Sequence, residues 1–463
     1  MSEAAIILAA GAGTRMKSKN SKVVHEILGK KLIDWVVDAA RSAGIEDLVT
    51  VVGHRSDQVI EAVSDRLAIA HQKEMLGTAD AVSCAMEAPQ LADLHGSVVV
   101  LYGDTPLISP DTIRKLLDIR NEKKASCVVL TMRLDDPFGY GRIIREDTFE
   151  TETATGEVLR IVEQKDASEA EARVCECNSG IYCFDADDLR SALAKIEPNN
   201  AQGELYVTDA LEIMKSEGKV CVAYEAEDPT ECLGINSRYQ LAEATSVMQT
   251  RINRRFMDEG VTMMAPELVW IGPDVKIDRD VVLMPNVWLF GNTSIGEDSI
   301  VGPNTRLTDT FIGCGCTIDE TVAIEARVDD GASTGPRAYL RPEAHLCEGA
   351  KAGTHVEIKK STIGKGSKVP HLSYIGDTTM GQGVNIGAGS ITCNYDGHNK
   401  HKTVIGDDTF IGSDTMMVAP VNIGDNVVVG AGSVITKDVP DGALAVARSR
   451  EKLYDGWVDK HKS

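Results

Sequence analysis

Two fold classes are predicted within this chain of 463 residues: an α/β domain first and a parallel β-helix after it. Three observations predict them. Short apolar runs alternate with helix-like stretches from residue 1 to about 236. A single helical pattern then starts at Ser237 and meets neither Pro nor Gly until Gly260. Beyond it, aliphatic residues recur every six positions. A chain this long exceeds one ordinary hydrophobic core, so separate domains are expected.

In the first part the strand candidates are Ala5–Ala9, Leu48–Val52, Ser97–Tyr102, Ser126–Arg133 and Val220–Tyr224. The helical patterns LIDWVVDAARSAG, TADAVSCAMEA and PDTIRKLLDIRNEKKA lie between them. Such alternation builds a largely parallel sheet, whose ligands gather at the carboxyl ends of the strands. In the second part Ile271, Ile277, Leu283, Leu289, Ile295, Val301 and Leu307 fall six apart. The spacing resumes at Leu340, Leu346, Ala352 and Ile358, at Ile363, Val369 and Ile375, and from Ile405 through Ile411, Met417, Ile423 and Val429 to Ile435. Neither a helix nor an ordinary strand has this period. A parallel β-helix does, because each six-residue unit forms one side of a triangular coil and turns one aliphatic residue inward; three units per turn give about nine coils here. Unrelated short strands would not hold so many aliphatics in phase. The expected division is 1–236 for the α/β domain, 237–262 for a connecting helix, 263–437 for the β-helix and 438–463 for a tail.

Hydrophobic content of 43% and charged content of 25% are those of a globular protein, and a net charge of −22 argues against nucleic acid or an anionic membrane as partner. No apolar run reaches membrane length, and AAIILAAGAG lacks the basic flank of a signal peptide. Eleven cysteines, an odd number, fit a reducing compartment, and a cytoplasmic location is expected. Cys175/Cys177 and Cys314/Cys316 have no second pair or His at metal-binding spacing in the sequence, so they read as incidental thiols.

The segment LAAGAGTRMKSKNSKVVH follows the first strand. Gly11 and Gly13 allow backbone amides to converge on a phosphate. The segment is neither a dinucleotide fingerprint, since Met16 stands at the third glycine, nor a Walker loop, since no Gly-Lys-Ser/Thr follows. Arg15 and Lys22 would neutralise a triphosphate, although taken alone the segment reads better as a turn with solvated charges. LYGDTP ends another strand with Asp104, where a carboxylate is well placed to hold Mg²⁺ against phosphates. In the second part RPEAHL carries Arg341, VEIKKS carries Lys359 and Lys360, and KVPHLSYIGD carries His371 and Tyr374. These are about one coil apart, so stacking can bring them together.

With HQKEMLGTADA, FGYGRIIRE, IVEQKDA, NSGIY and GIN following in order, the first part resembles the sugar-nucleotide pyrophosphorylases. With the second part included, the whole chain resembles the family of bifunctional uridylyltransferase/acetyltransferases of UDP-N-acetylglucosamine synthesis, whose product feeds peptidoglycan and lipopolysaccharide. The resemblance implies a Rossmann-like nucleotidyltransferase domain followed by a left-handed parallel β-helix of hexapeptide repeats. It implies that Arg15 and Lys22 contact phosphates, with Leu8, Ala9, Ala10, Gly11, Gly13, Tyr102 and Gly103 lining the nucleotide site. Gln72, Gly77 and Thr78 would face uracil, and Gly139, Glu163 and Asn178 the N-acetylglucosamine, while Asp104 and Asn236 would bind Mg²⁺. The co-substrates would be UTP and acetyl-CoA. Ser21 replaces the proline usual before the lysine, and Asp80 stands in GTADA where related enzymes often carry Gln or His.

For the second part the resemblance implies that Arg341, Lys359, Tyr374, Asn385 and Lys400 recognise glucosamine 1-phosphate. Asn394 and Tyr395 would support the reacting groups, and Ser413, Ala431 and Arg448 would meet acetyl-CoA. His371 would be the base: an amine attacking a thioester must lose a proton, and an imidazole titrates near neutral pH. Val369-Pro370 replaces the small pair typical before that histidine. The family resemblance also implies a homotrimer. In ITCNYDGHNKHKTVIGDD the six-residue phase is lost between Thr392 and Ile405, and Asp396-Gly397 is a turn signal. This loop is expected to leave the coil and complete the acetyltransferase site of an adjacent subunit. Two alternatives stand beside the bifunctional reading. One keeps nucleotidyl transfer alone, with a structural or regulatory β-helix as in ADP-glucose pyrophosphorylases; the other is a nucleotide-sensing scaffold.

Overall fold

The computed structural model describes residues 2–63, 65–151 and 154–462. It divides into two compact units, Met1–Met248 and Gln249–Ser463.

Unit one is a three-layer α/β/α sandwich. In chain order its main elements are β1 (Ser2–Leu8), α1 (Leu32–Ser42), β2 (Asp47–Val52), α2 (Ser56–Val63), β3 (Ala68–His71), α3 (Thr78–Met86), β4 (Gly96–Tyr102) and α4 (Pro110–Lys123). There follow β5 (Cys127–Arg133), the hairpin β6 (Arg142–Arg145) and β7 (Val158–Val162), β8 (Glu176–Asp185), α5 (Ala186–Leu193), α6 (Asp209–Ser216) and β9 (Cys221–Glu225). The sheet order is β9-β5-β8-β4-β1-β2-β3, with the β6–β7 hairpin attached to β8. Strands β1, β2 and β4 read as continuous apolar runs because both their faces are covered. Ala5, Ile7, Val99 and Leu101 pack with the buried faces of α1, α2 and α4. Ala4, Ile6, Val98 and Val100 pack with those of α3, α5 and α6.

The sheet is less uniformly parallel than the alternation implies. β8 runs antiparallel between β4 and β5, and it carries a register shift between Asn178 and Tyr182. That irregularity takes Ser179 and Gly180, just after the Asn178–Thr131 pair, out of the ladder at the level where β1 and β4 end. The next helix, α7 (Arg238–Asp258), spans the division between the two units.

Unit two is a parallel β-helix whose strands form three sheets of 11, 10 and 9 members. Each coil pairs in register with the next: Val282 lies opposite Ile300, Leu289 opposite Leu307, and Leu346 opposite Ile363. The aliphatics six apart are the ones buried inside, from Ile271 to Ile435. Where the period lapses, from Leu307 to Ile312 and from Ile318 through Ala323 to Val328, the coil continues with five-residue steps, and these residues are buried as their neighbours are. Corners are turned by residues in the left-handed region such as Asp298, Asn304, Asp408 and Asn426, whose short polar side chains tolerate it. The coil also runs into the stretch read as a tail, since Leu444–Ala445 pairs with Val428–Val429.

Two candidate active sites

The first site is a cavity of about 460 Å³ in unit one, at the carboxyl ends of β1 and β4. The loop after β1 folds back so that Gly13 (φ 58°) lies against Lys22, where an added Cβ would come within 2.9 Å of the lysine's own Cβ. The lysine side chain lines the cavity. Its ammonium is ion-paired with Asp104 and donates to Asn236 Oδ1 at 2.9 Å. Leu8, Ala9, Ala10, Gly11, Lys22, Tyr102, Asp104 and Asn236 all border the cavity. Gly103 holds the β1 and β4 ends together through its N–H to the Leu8 carbonyl at 2.9 Å. Arg15 is exposed on the turn Thr14–Met16, near enough for its charge to act on the Tyr140 phenol, which also lines the cavity.

At one end of the cavity Gln72, Gly77 and Thr78 meet. The Gln72 amide nitrogen donates to the Gly77 carbonyl at 3.0 Å and to Asp80 Oδ2 at 2.8 Å. Both of its protons are therefore used, and Gln72 Oε1 is left as an acceptor. Gly77 is required here: its φ is 131°, and a Cβ would lie 2.3 Å from the Leu205 carbonyl oxygen. Thr78 Oγ1 accepts from Val207 N–H at 3.0 Å.

The remaining predicted residues, Gly139, Glu163 and Asn178, cluster around Gly141, next to the cavity-lining Tyr140 and Ser179. Gly139 N–H donates to Gln164 Oε1 at 2.9 Å, and Asn178 Nδ2 donates to the Tyr182 hydroxyl at 2.7 Å. Burial, with Asp166 and Asp209 nearby, pushes the Glu163 carboxyl up, and burial likewise pushes up the Tyr102 phenol. Among the lining residues that sequence reasoning missed are Met75, Thr105, Tyr140, Ser179, Glu204 and Cys232. Tyr140 and Ser179 lay inside the quoted motifs FGYGRIIRE and NSGIY, so their motif position was the available signal.

The second site lies on unit two. Lys359 and Tyr374 project from one sheet of the coil, and Arg341 stands in the ladder beside Ile358. The Arg341 guanidinium pairs with Glu357 at 2.8 Å. Thr378 pairs with Thr403, eight residues further than the equivalent 17-residue step from His345 to Thr362, so the coil carries an insertion here. Tyr395 and Lys400 bridge across that insertion. Asn394 is buried at its root and donates to Asp377 at 2.5 Å and to the Tyr374 hydroxyl at 3.5 Å. Beside Lys359, the Lys400 ammonium is held below its ordinary range, with Asp377 and Tyr374 opposing the shift. Asn394 and Lys400 thus contact their own chain's cluster, while Tyr395 at the tip is 61% exposed.

His371 occupies the corner before the Tyr374 strand, where Leu372 (φ 48°) turns the chain; its imidazole is exposed. The same corner continues down the coil through Ala388 and Ser413. Gly389 N–H meets the His371 carbonyl at 3.4 Å, Asp414 N–H the Ala388 carbonyl at 2.7 Å, and Gly432 N–H the Ser413 carbonyl at 2.8 Å. Asn385 is on the strand leading into this corner. Ala431 continues the ladder, since a Cβ on Gly412 would lie 2.5 Å from its N, and Arg448 approaches Gly432 at its foot. The predicted acetyl-CoA residues therefore share an edge with His371, as does Asn385, while the other predicted sugar-phosphate residues, Arg341, Lys359, Tyr374 and Lys400, form a separate cationic cluster on the next face.

Residues 5–168 match the MobA-like NTP transferase domain, and residues 402–437 match the hexapeptide repeat of succinyl-transferase. The bifunctional protein GlmU of Caldanaerobacter subterraneus subsp. tengcongensis is 48% identical over 455 residues, 98% of this chain and 97% of that one. That of Brevibacillus brevis is 49% identical over 456 residues, 98% and 97% of the two chains. That of Heliobacterium modesticaldum is 48% identical over 459 residues, 99% and 98%. The chain belongs to the GlmU family. As a GlmU family member it is a bifunctional enzyme, a uridylyltransferase joined to an acetyltransferase. The nucleotidyl-transfer-only and scaffold alternatives are set aside by matches that span both units.

Proposed function

We propose that the unit-one cavity couples UTP to N-acetylglucosamine 1-phosphate, releasing pyrophosphate, and that the unit-two cluster acetylates glucosamine 1-phosphate from acetyl-CoA. The observation that carries the first assignment is the Lys22 ammonium held between Asp104 and Asn236 at the cavity wall. Two side-chain oxygens already converge on one cation there, and a hard divalent ion such as Mg²⁺ takes oxygen donors of this kind. Bound by Asp104 and Asn236, Mg²⁺ would neutralise charge on the phosphates of UTP. Lys22 is then released to pair with a phosphate, and Arg15 supplies further positive charge at the loop. The sugar phosphate is itself an anionic nucleophile, so the cavity needs no general base; it must align the attacking oxygen with the α-phosphate.

In unit two, Lys359, Lys400 and Arg341 hold the phosphate of glucosamine 1-phosphate. His371 accepts the amine proton as the nitrogen attacks the thioester carbonyl, and the CoA thiolate leaves. No acyl-cysteine is required. The two chemistries are separable. Asp104→Ala abolishes uridylyl transfer and leaves acetyl transfer near normal, and His371→Ala does the reverse; loss of both activities in either variant refutes the assignment.

The active species is a homotrimer, in which the exposed tip around Tyr395 reaches a neighbouring subunit's acetyltransferase site. Support comes from the regular β-helix surface and the projecting loop. Sedimentation of the full chain tests the trimer. Mixed trimers of His371→Ala and Tyr395→Ala subunits test the shared site, since they regain acetylation only if the loop works in trans. Among the described residues no helix is long and apolar enough to cross a membrane, and all eleven cysteines are free, which supports a cytoplasmic place.

A further inference from the structure

Away from both candidate sites, coil stacking brings together three side chains that neither reaction uses. Val328 and Leu346 point into the core and lie opposite each other on successive coils. The residues flanking them therefore face outward. Asp329 and Cys347 follow them in the same register, the Asp329 N–H meeting the Leu346 carbonyl at 2.8 Å, and His345 precedes Leu346. The His345 Nε2 and Asp329 Oδ2 atoms are 2.7 Å apart, Cys347 Sγ is 4.0 Å from His345 Nε2, and all three ligand atoms fall within 4.8 Å of one another. Each residue is only partly exposed.

We propose that Asp329, His345 and Cys347 bind one borderline divalent transition ion, of the Zn²⁺ type, across two successive coils of the β-helix. The donor set selects that class. A thiolate and an imidazole suit Zn²⁺ and its neighbours, whereas Mg²⁺ and Ca²⁺ want oxygen alone. Three protein ligands with a water in the fourth position make a common tetrahedral arrangement. Bond lengths of about 2.0–2.3 Å require the three donors to adjust by roughly an ångström from their present spacing. The Arg327 Nε atom lies 2.8 Å from the other oxygen of Asp329 as an ion pair, and that buried oxygen accepts no hydrogen bond. A His–Asp hydrogen bond alone explains two of these residues; it gives no reason for the thiol beside them. Bound to the folded coil and not to the unfolded chain, the ion ties together coils near the five-residue steps at Ile318, Ala323 and Val328.

The test uses the full chain, stripped with chelator and titrated with Co²⁺ and then Zn²⁺. One equivalent of Co²⁺ should give a thiolate-to-cobalt charge-transfer band, which Zn²⁺ removes. Cys347→Ser should abolish the band, and His345→Ala should weaken Zn²⁺ binding by more than the ~10–100-fold that loss of an outer partner costs. Asp104→Ala should keep the band, which separates this site from the oxygen donors in unit one. Both transferase activities and the thermal melt of metal-free Cys347→Ser, matching the parent, show that it folds. The absence of a thiolate band at one equivalent, or a band that survives Cys347→Ser, overturns the proposal.

Discussion

Asp80 is expected to set the base preference of uridylyl transfer without touching the base. It spends one proton of the Gln72 amide at 2.8 Å, while the Gly77 carbonyl takes the other at 3.0 Å. Rotating that amide by a half-turn would place Oε1 against two acceptors. Gln72 Oε1 is therefore fixed as an acceptor, suited to the N3–H of uracil and opposed to the bare N3 of cytosine. A hydrogen bond to a charged group contributes about 1.5–3 kcal/mol, and the Gly77 contact persists when it is lost. Taking the lower figure, Asp80→Ala should reduce the ratio of kcat/KM for UTP over CTP by about tenfold, at about 1.4 kcal/mol per decade. Asp80→Asn, which keeps an acceptor oxygen, should recover most of the ratio. The assay is pyrophosphate release with each nucleotide, with acetyl transfer as the control for folding. An unchanged ratio in Asp80→Ala, with acetyl transfer intact, would refute the reasoning.

Gly77→Ala forces a Cβ to within 2.3 Å of the Leu205 carbonyl at φ 131°, a strain of order 1–3 kcal/mol. It should lower the melting temperature of unit one and remove uridylyl transfer while acetylation continues. Asp209 has its carboxyl pushed up to about 6 by burial, with Glu212 and Asp166 adding to the shift. Its ordinary value is 3.8, so its contribution to stability is full below about pH 4 and lost as pH rises through 6. Asp209→Asn should therefore melt above the parent at pH 7 and with it at pH 4. Asp396 is held down to about 2 by the Asn399 and His398 amides and by His401. Its contribution is present above pH 4 and lost only as pH falls through 2, so loop order should be flat across the assay range. Asp396→Ala should reduce acetylation alone, measured by CoA release. Lys400→Ala should raise KM for glucosamine 1-phosphate about tenfold with a smaller effect on kcat, through loss of one cation from the pair with Lys359.

Most of the fold was legible because both units obey simple periods. β2, β4, β5 and β9 were each marked by an apolar run to within a residue, while β1 starts three residues before its run, because an apolar run marks only the covered part of a strand. β8 was not marked as a strand. Its first half carries Asn178, Ser179 and Gly180, and the register shift there breaks any alternation a reader could follow. The polar break is also what delivers Asn178 and Ser179 to the cavity edge, so one irregularity both hid the strand and built part of the site. In unit two the five-residue steps around Ile318 and Val328 lose the six-residue phase while preserving the coil.

The site was legible to the extent that its residues sit in contiguous motifs. Lys22, Asp104 and Asn236 were named from loops far apart in sequence, and their convergence on one ammonium could only be inferred from strand ends. The Gln72–Asp80 contact was hidden because eight residues separate the pair across a loop and a helix start, a spacing with no periodic meaning. Coil stacking hides contacts in the same way. Asp329, His345 and Cys347 belong to successive turns, and a search for metal ligands by local spacing passes over them. In a β-helix the relevant neighbour is one turn away, 16 to 18 residues in most coils and 25 where the Asn394–Lys400 loop is inserted. A reading that indexes residues by turn and side extends the one-coil stacking expected for Arg341, Lys359 and Tyr374 to Asp329 over Cys347. Such a reading still could not give the path of Lys400, because a loop that leaves the coil escapes its index.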